Sequence, residues 1–236
     1  MMKWGILLKI ATNSLQNEDE FQKPLLFGIV TSPITQFKRM KYQAPILVPL
    51  VSMLFLTILT SSILSYVTLN NPMMKSINGG NYGEFSSKIA FLSTFSFSTI
   101  GGIISIFLSP IFYKNIMIFF GIDISYKKVL SMVLYTTFII KVGMLFNGLL
   151  AIIWNGYELS YTSLAPLITD NLILHTMAQR VDLFNIWYFI VLGVGIHIIT
   201  NLSKNKTIIL MFIVFLFTTV AASMSGLMQE ISTLQN

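Results

Sequence analysis

PLLFGIVTSPITQFKRMKYQAPILVPLVSMLFLTILTSSILSYV, residues 24–67, is the stretch on which the class of this protein turns. Its second half, Ala44 to Val67, is an apolar run of 24 residues. A bilayer core of ~30 Å takes about 20 helical residues, so this run is long enough to cross. Lys38, Arg39 and Lys41 stand immediately before it. Basic residues beside a first span stay in the cytoplasm, which predicts a cytoplasmic amino terminus. The first half, from Phe21 to Tyr42, places Phe21, Leu25, Leu26, Ile29 and Phe37 among interruptions at Pro24 and Pro33. One reading is an amphipathic helix lying at the headgroups, with Ser32 as its N-cap and Pro33 at its first helical position. A flexible juxtamembrane linker fits the same pattern.

Working outward, the whole chain has the composition of a protein dissolved in lipid. Of its 236 residues 54% are hydrophobic and 10% charged, far below the roughly 25% charged residues of a soluble domain. The net charge of +6 comes from lysines and arginines at segment ends, with no basic stripe to suggest nucleic acid as a partner. There is no cysteine, hence no disulfide framework or thiolate site. The opening MMKWGILLKIATNSLQNEDE is broken by Lys9 and lacks a small-x-small cleavage site, so it reads as part of the mature chain.

Further apolar segments at about 89–121, 129–154, 183–202 and 207–227 predict five transmembrane helices in all. The second is too long for one straight span and carries Gly101-Gly102, Pro110 and Lys114, which predicts a kink, a tilt or a partly interfacial course. The SKNK turn makes the last two helices antiparallel neighbours. With the amino terminus inside, eleven basic residues fall on the cytoplasmic side and three (Lys75, Lys88 and Arg180) outside. That bias places the carboxyl terminus outside. The expected organisation is a cytoplasmic tail over 1–20, a single membrane domain over 21–227 and a short external tail over 228–236.

Because lipid is as apolar as leucine, spans need small residues and hydrogen bonds to associate. Ser98, Gly102, Ser105 and Ser109 recur at helical spacing in the second span; Gly193, His197 and Asn201 do so in the fourth; Thr218, Ala222 and Gly226 in the fifth. They read as packing seams, although a polar conduit has the same pattern in one dimension. Lys141 is the one ionisable residue deep in a span, a costly position that makes it a candidate functional residue. Snorkelling, or a neutral place in a polar seam beside Thr137, Asn147 and Gly148, is the plainer reading. His197 reads as a hydrogen-bonded seam residue, since two separated histidines and no cysteine do not make a metal site. No H-E-x-x-H, no phosphate-binding glycine loop and no serine with a positioned base is present, so no catalytic residue, metal or cofactor is expected.

Three stretches carry a family resemblance: FGIVTSPITQFKRM at 27–40, GIDISYKKVLSMVLYT at 121–136, and VDLFNIWYFIVLGVGIHIITNLSKNK at 181–206. Together they resemble the Yip family of five-span membrane proteins, in its small bacterial branch. The correspondences are Ser32-Pro33 followed by Phe37 and a basic pair, the glycine turn before a lysine pair, and Leu-Phe-Asn-x-Trp ending at Trp187 with a span glycine at Gly193. The Asp-Leu-Tyr-Gly-Pro motif and long polar amino-terminal domain of the eukaryotic branch are absent, so small-GTPase binding is not implied. What the resemblance implies is a non-enzymatic accessory or assembly protein of the bacterial cytoplasmic membrane. Its partners would be the lipid bilayer and another membrane protein, such as an ABC-type exporter protecting against toxic peptides. The alternative is a small transporter or channel with its own conduction path.

Overall fold

The computed structural model describes residues 21–70 and 84–234. The short helix expected around Trp4 to Ile10 lies outside them. Two helices, α1 (Gly28–Thr31) and α2 (Pro33–Tyr42), precede α3 (Leu47–Asn70), α4 (Glu84–Phe119) and α5 (Tyr126–Ile153). Then follow a 3-10 turn at Ala165–Leu167, α6 (Leu172–Ala178), α7 (Leu183–Thr200) and α8 (Lys204–Leu234). Five of these, α3, α4, α5, α7 and α8, are long and apolar enough to cross a membrane. The fold is an all-α polytopic membrane fold; among the described residues the one β-type pairing is an isolated bridge between Ser163 and Asp182.

Helix α5 is the centre. It packs against α1, α2, α3, α4 and α7, and 15 of its 28 residues are buried. Helix α8 packs on α7 and α6, and α4 on α3 and α5. Close approach is achieved where glycine meets a larger side chain: Gly143 takes the ring of Phe184, Gly148 takes Ile63, and Gly102 takes Thr57. The helices therefore associate as lipid-dissolved helices must, by small-residue packing.

Helix α4 runs unbroken for 36 residues, about 54 Å at 1.5 Å per residue. Neither Gly101-Gly102 nor Pro110 interrupts it, so its excess length goes into tilt or into projection beyond the apolar core. Near Pro110, whose ring removes a helical donor, the Tyr126 hydroxyl donates to the Phe107 carbonyl at 3.1 Å. The turn into α5 is made by Gly121 at φ +74°, which lets the Ile122 amide return to the Met117 carbonyl at 2.9 Å. Helix α8 extends through Leu234, so residues 228–234, expected as a tail, are helical.

The two ends of the bundle differ. One, here the basic end, carries α1, α2 and the turns 120–125 and 201–203. The other, the loop end, is closed by residues 154–182, a long polar connection that folds into a cap. Asp182 is its keystone: Oδ1 accepts from the amides of Phe184 and Asn185 as the N-cap of α7, and Oδ2 accepts from the Thr162 hydroxyl. Asn147 of α5 receives the Thr162 amide at 2.9 Å. His175 Nε2 lies 3.0 Å from Glu158, and α6 is seated on Gly226, where a Cβ would lie 2.7 Å from the Leu172 carbonyl oxygen. Burial, with the nearby Glu158 carboxylate adding to it, holds the Tyr161 hydroxyl above its ordinary pKa.

Candidate functional site at the basic end

Residues 24–45 form a clasp across the central helix. Two hydroxyls one turn apart on α5 hold its ends: Tyr135 donates to the Pro24 carbonyl and Ser131 to the Pro45 carbonyl, both at 2.8 Å. Inside the clasp, buried Gln36 accepts the Leu25 amide at 2.7 Å and donates to Ser32 Oγ at 3.3 Å. Ile29, Phe37 and Met40 are fully buried, while Leu25, Phe27 and Ile34 point outward. Phe27 meets Phe138 edge-on at 5.1 Å between ring centroids. Phe138 is about 18 Å along α5 from Tyr126, so the segment reaches well up the side of the central helix. Its pattern allows this: no residue from Leu25 to Phe37 is charged, and charge begins at Lys38.

Of two expectations for this segment, one holds and one needs refinement. Pro33 does occupy the first helical position, where its missing N–H costs nothing. Ser32 stands at the N-cap position, but its hydroxyl makes no capping bond and donates back to the Gly28 carbonyl at 3.1 Å. Helix α1 ends directly before it, and that last-turn carbonyl outcompetes the first amides of α2.

Phe37 is received by α7. A Cβ on Gly195 would lie 2.7 Å from Phe37 Cζ, so only glycine admits the ring. Gly193, two residues earlier, faces the other neighbour: a Cβ there would lie 3.0 Å from Met211 Cγ of α8. His197 Nδ1 is 2.6 Å from the Leu202 carbonyl, which can only accept, so Nδ1 carries the proton. Asn201 caps α7 in the left-handed conformation at φ 57°, and its Oδ1 accepts from Lys41 Nζ at 3.0 Å. Phe37, Gly193, His197 and Asn201 are thus gathered around the last turns of α7. Gly193 packs on α8, His197 is satisfied by backbone, and Asn201 ties α7 to α2.

Lys141 and Trp187 lie elsewhere. Trp187 is half-buried against the core. Lys141 is buried at the junction of α3, α4 and α5, its Nζ 3.9 Å from where a Gly102 Cβ would stand. Thr57 lines the same spot, and its hydroxyl is buried without a hydrogen-bond partner. Asn147, by contrast, is engaged with Thr162 and not with Lys141. The second-span stripe also divides: Gly102 faces α3, whereas Ser105 faces outward and bonds the Gly102 carbonyl at 2.8 Å.

Two open cavities meet at this end. A groove of about 800 Å³ runs between α7 and α8, its apolar walls including Ile190, Val194, Met211 and Phe215 and its basic-end wall Lys38, His197 and Lys204. A second cavity of about 350 Å³ is lined by Lys38, Lys41, Tyr42, His197, Ile198 and Asn201. They share Lys38, His197 and Ile198. No group of three or more His, Cys, Asp or Glu able to hold a metal occurs among the described residues. Sequence reasoning missed Gly195, Tyr135 and Ser131, and the buried hydroxyl pair Tyr113–Tyr188 at 3.0 Å. Only the glycine spacing of α7 hinted at any of them.

An α-helical bundle of five spans, with a pre-span clasp at its basic end, defines an integral membrane protein. The family model described as Yip1 domain matches residues 27–224, and the chain belongs to that family. It is 31% identical over 216 residues to "Membrane protein YknW" of Bacillus subtilis (strain 168), covering 89% of this chain and 94% of that relative. No solved structure matches it.

Proposed function

We propose that the protein is a non-catalytic accessory or assembly factor that docks laterally on another membrane protein, with its basic end in the cytoplasm. The observation that carries this reading is the state of α5. A transporter or channel of this size would line its path with the central helix, yet four polar side chains of α5 are engaged inside the chain. Ser131 and Tyr135 hold the clasp, Thr136 bonds its own helix, and Asn147 bonds the cap. Lys141 makes no ion pair among the described residues, so it offers no charge couple of the kind a proton- or ion-coupled carrier uses. Lateral docking is supported by α4, most of whose apolar side chains are exposed in the bundle. On its outward face nothing lies within 4 Å of a Cβ at Gly101, and exposed Ser105 follows one turn later. Small residues one turn apart admit close helix approach. An exporter of the ABC type is the partner class that the family resemblance suggests, and the excess of basic residues at the clasp end supports the orientation.

The test is quantitative affinity purification in mild detergent, wild type against Gly101→Trp. The same membrane protein should be recovered reproducibly with the wild type and lost with a variant that remains folded. Recovery unaffected by the substitution, together with solute flux through liposomes holding the purified protein alone, overturns the reading in favour of a conductor.

A further inference from the structure

We propose that the α7–α8 groove and the cavity beside it form the seat of one anionic glycerophospholipid, acyl chains along the groove and phosphate between Lys41 and Lys204. The two cavities share a wall at Lys38, His197 and Ile198, so an apolar slot opens into a polar head pocket, the shape of an amphiphile. Along α7 the slot runs from Ile186 to Ile198, about 18 Å, or about two-thirds of that helix. Ile34 and Lys38 of α2 wall its basic end, so a transmembrane helix, about 30 Å long, does not fit lengthwise, whereas a lipid from the basic-end leaflet does.

The charge selects the headgroup. Lys41 and Lys204 each bring an ammonium group to the joined cavities, and among the described residues no carboxylate lines them. Asn201 holds Lys41 at its edge, and the Nδ1–H of His197 is committed to the Leu202 carbonyl. A phosphodiester with no cation of its own is attracted by roughly 1 kcal/mol per lysine near a membrane surface, whereas choline brings a cation that cancels part of this. Gly193 contributes by absence of a side chain, leaving the floor of the slot to Met211 and Thr207. The proposal stands apart from the docking face on α4 and does not depend on it.

The experiment reconstitutes the full chain in nanodiscs of phosphatidylcholine doped with phosphatidylglycerol and counts lipids retained by native mass spectrometry after transfer to detergent. The expected result is one phosphatidylglycerol retained over phosphatidylcholine. Lys41→Gln with Lys204→Gln should lower that preference about thirtyfold, near fivefold per lysine. Ile190→Trp, which fills the exposed slot without touching the charges, should abolish retention while the melting temperature in lipid-free detergent stays at the parent value. Equal retention of both lipids, retention indifferent to Ile190→Trp, or displacement by millimolar glycerol phosphate, which would mark a soluble-phosphate site, overturns it.

Discussion

Phe37 fills the space that a side chain at residue 195 would occupy: a Cβ on Gly195 would stand 2.7 Å from Cζ and 2.8 Å from Cε1 of its ring. This pairing locks the clasp to α7. Phe37→Ala should cost about 3–5 kcal/mol, the range for emptying a buried aromatic site, and Gly195→Ala about 1–3 kcal/mol by overpacking. The two should not be additive, because Phe37→Ala makes room for the new methyl. Thermal unfolding in detergent of the single and paired variants reads the coupling; simple addition would show that the two residues do not meet.

The hydroxyls of Tyr113 on α4 and Tyr188 on α7 pair at 3.0 Å in a buried site. Replacing one by Phe strands the other, and replacing both removes the polar pair while preserving shape. Tyr188→Phe should therefore destabilise by about 1 kcal/mol, and adding Tyr113→Phe should restore most of it. A double variant worse than either single one, in the same melting assay, would contradict the pairing.

For Lys141 the expected outcome is that Lys141→Met is neutral or stabilising, since it removes a costly group from the span and nearly conserves volume. Gly102 and Thr57 leave the space, and no ion pair among the described residues is lost. Melting temperature and partner recovery are measured together. A variant that is stable but loses its partner would assign Lys141 a functional role.

Orientation is tested on a chain that contains no cysteine of its own. Single cysteines at Asn205 and Asn171, both exposed and at opposite ends of the bundle, are treated with a membrane-impermeant thiol reagent in intact cells. Labelling at residue 171 and protection at 205 is expected from the basic-residue bias. The opposite pattern reverses the topology.

The span helices were legible because each is a long apolar run. The clasp was not, because its alternation of apolar residues and prolines suits a surface helix, a linker or an inserted element alike; what separates them is Gly195, a partner about 160 residues away. Gly193 attracted attention by helical spacing with His197 and Asn201, yet the glycine that receives Phe37 is its neighbour, a distinction of rotational phase that periodicity alone does not settle. Ser32 was read as a cap because nothing in the sequence says that α1 ends directly before it. The joined cavities were also out of reach, being built from α2, α7 and α8.

The central claim, an accessory protein that docks through α4, is tested most directly by photo-crosslinking from a benzophenone amino acid at Phe97, exposed on the outward face of α4, in intact cells. The account predicts one discrete adduct with the same membrane protein that co-purifies with the wild type, abolished by Gly101→Trp, and none from a benzophenone at Ile213 of α8. Adducts with lipid alone from residue 97, with the protein nonetheless carrying solute across liposome membranes by itself, would contradict it.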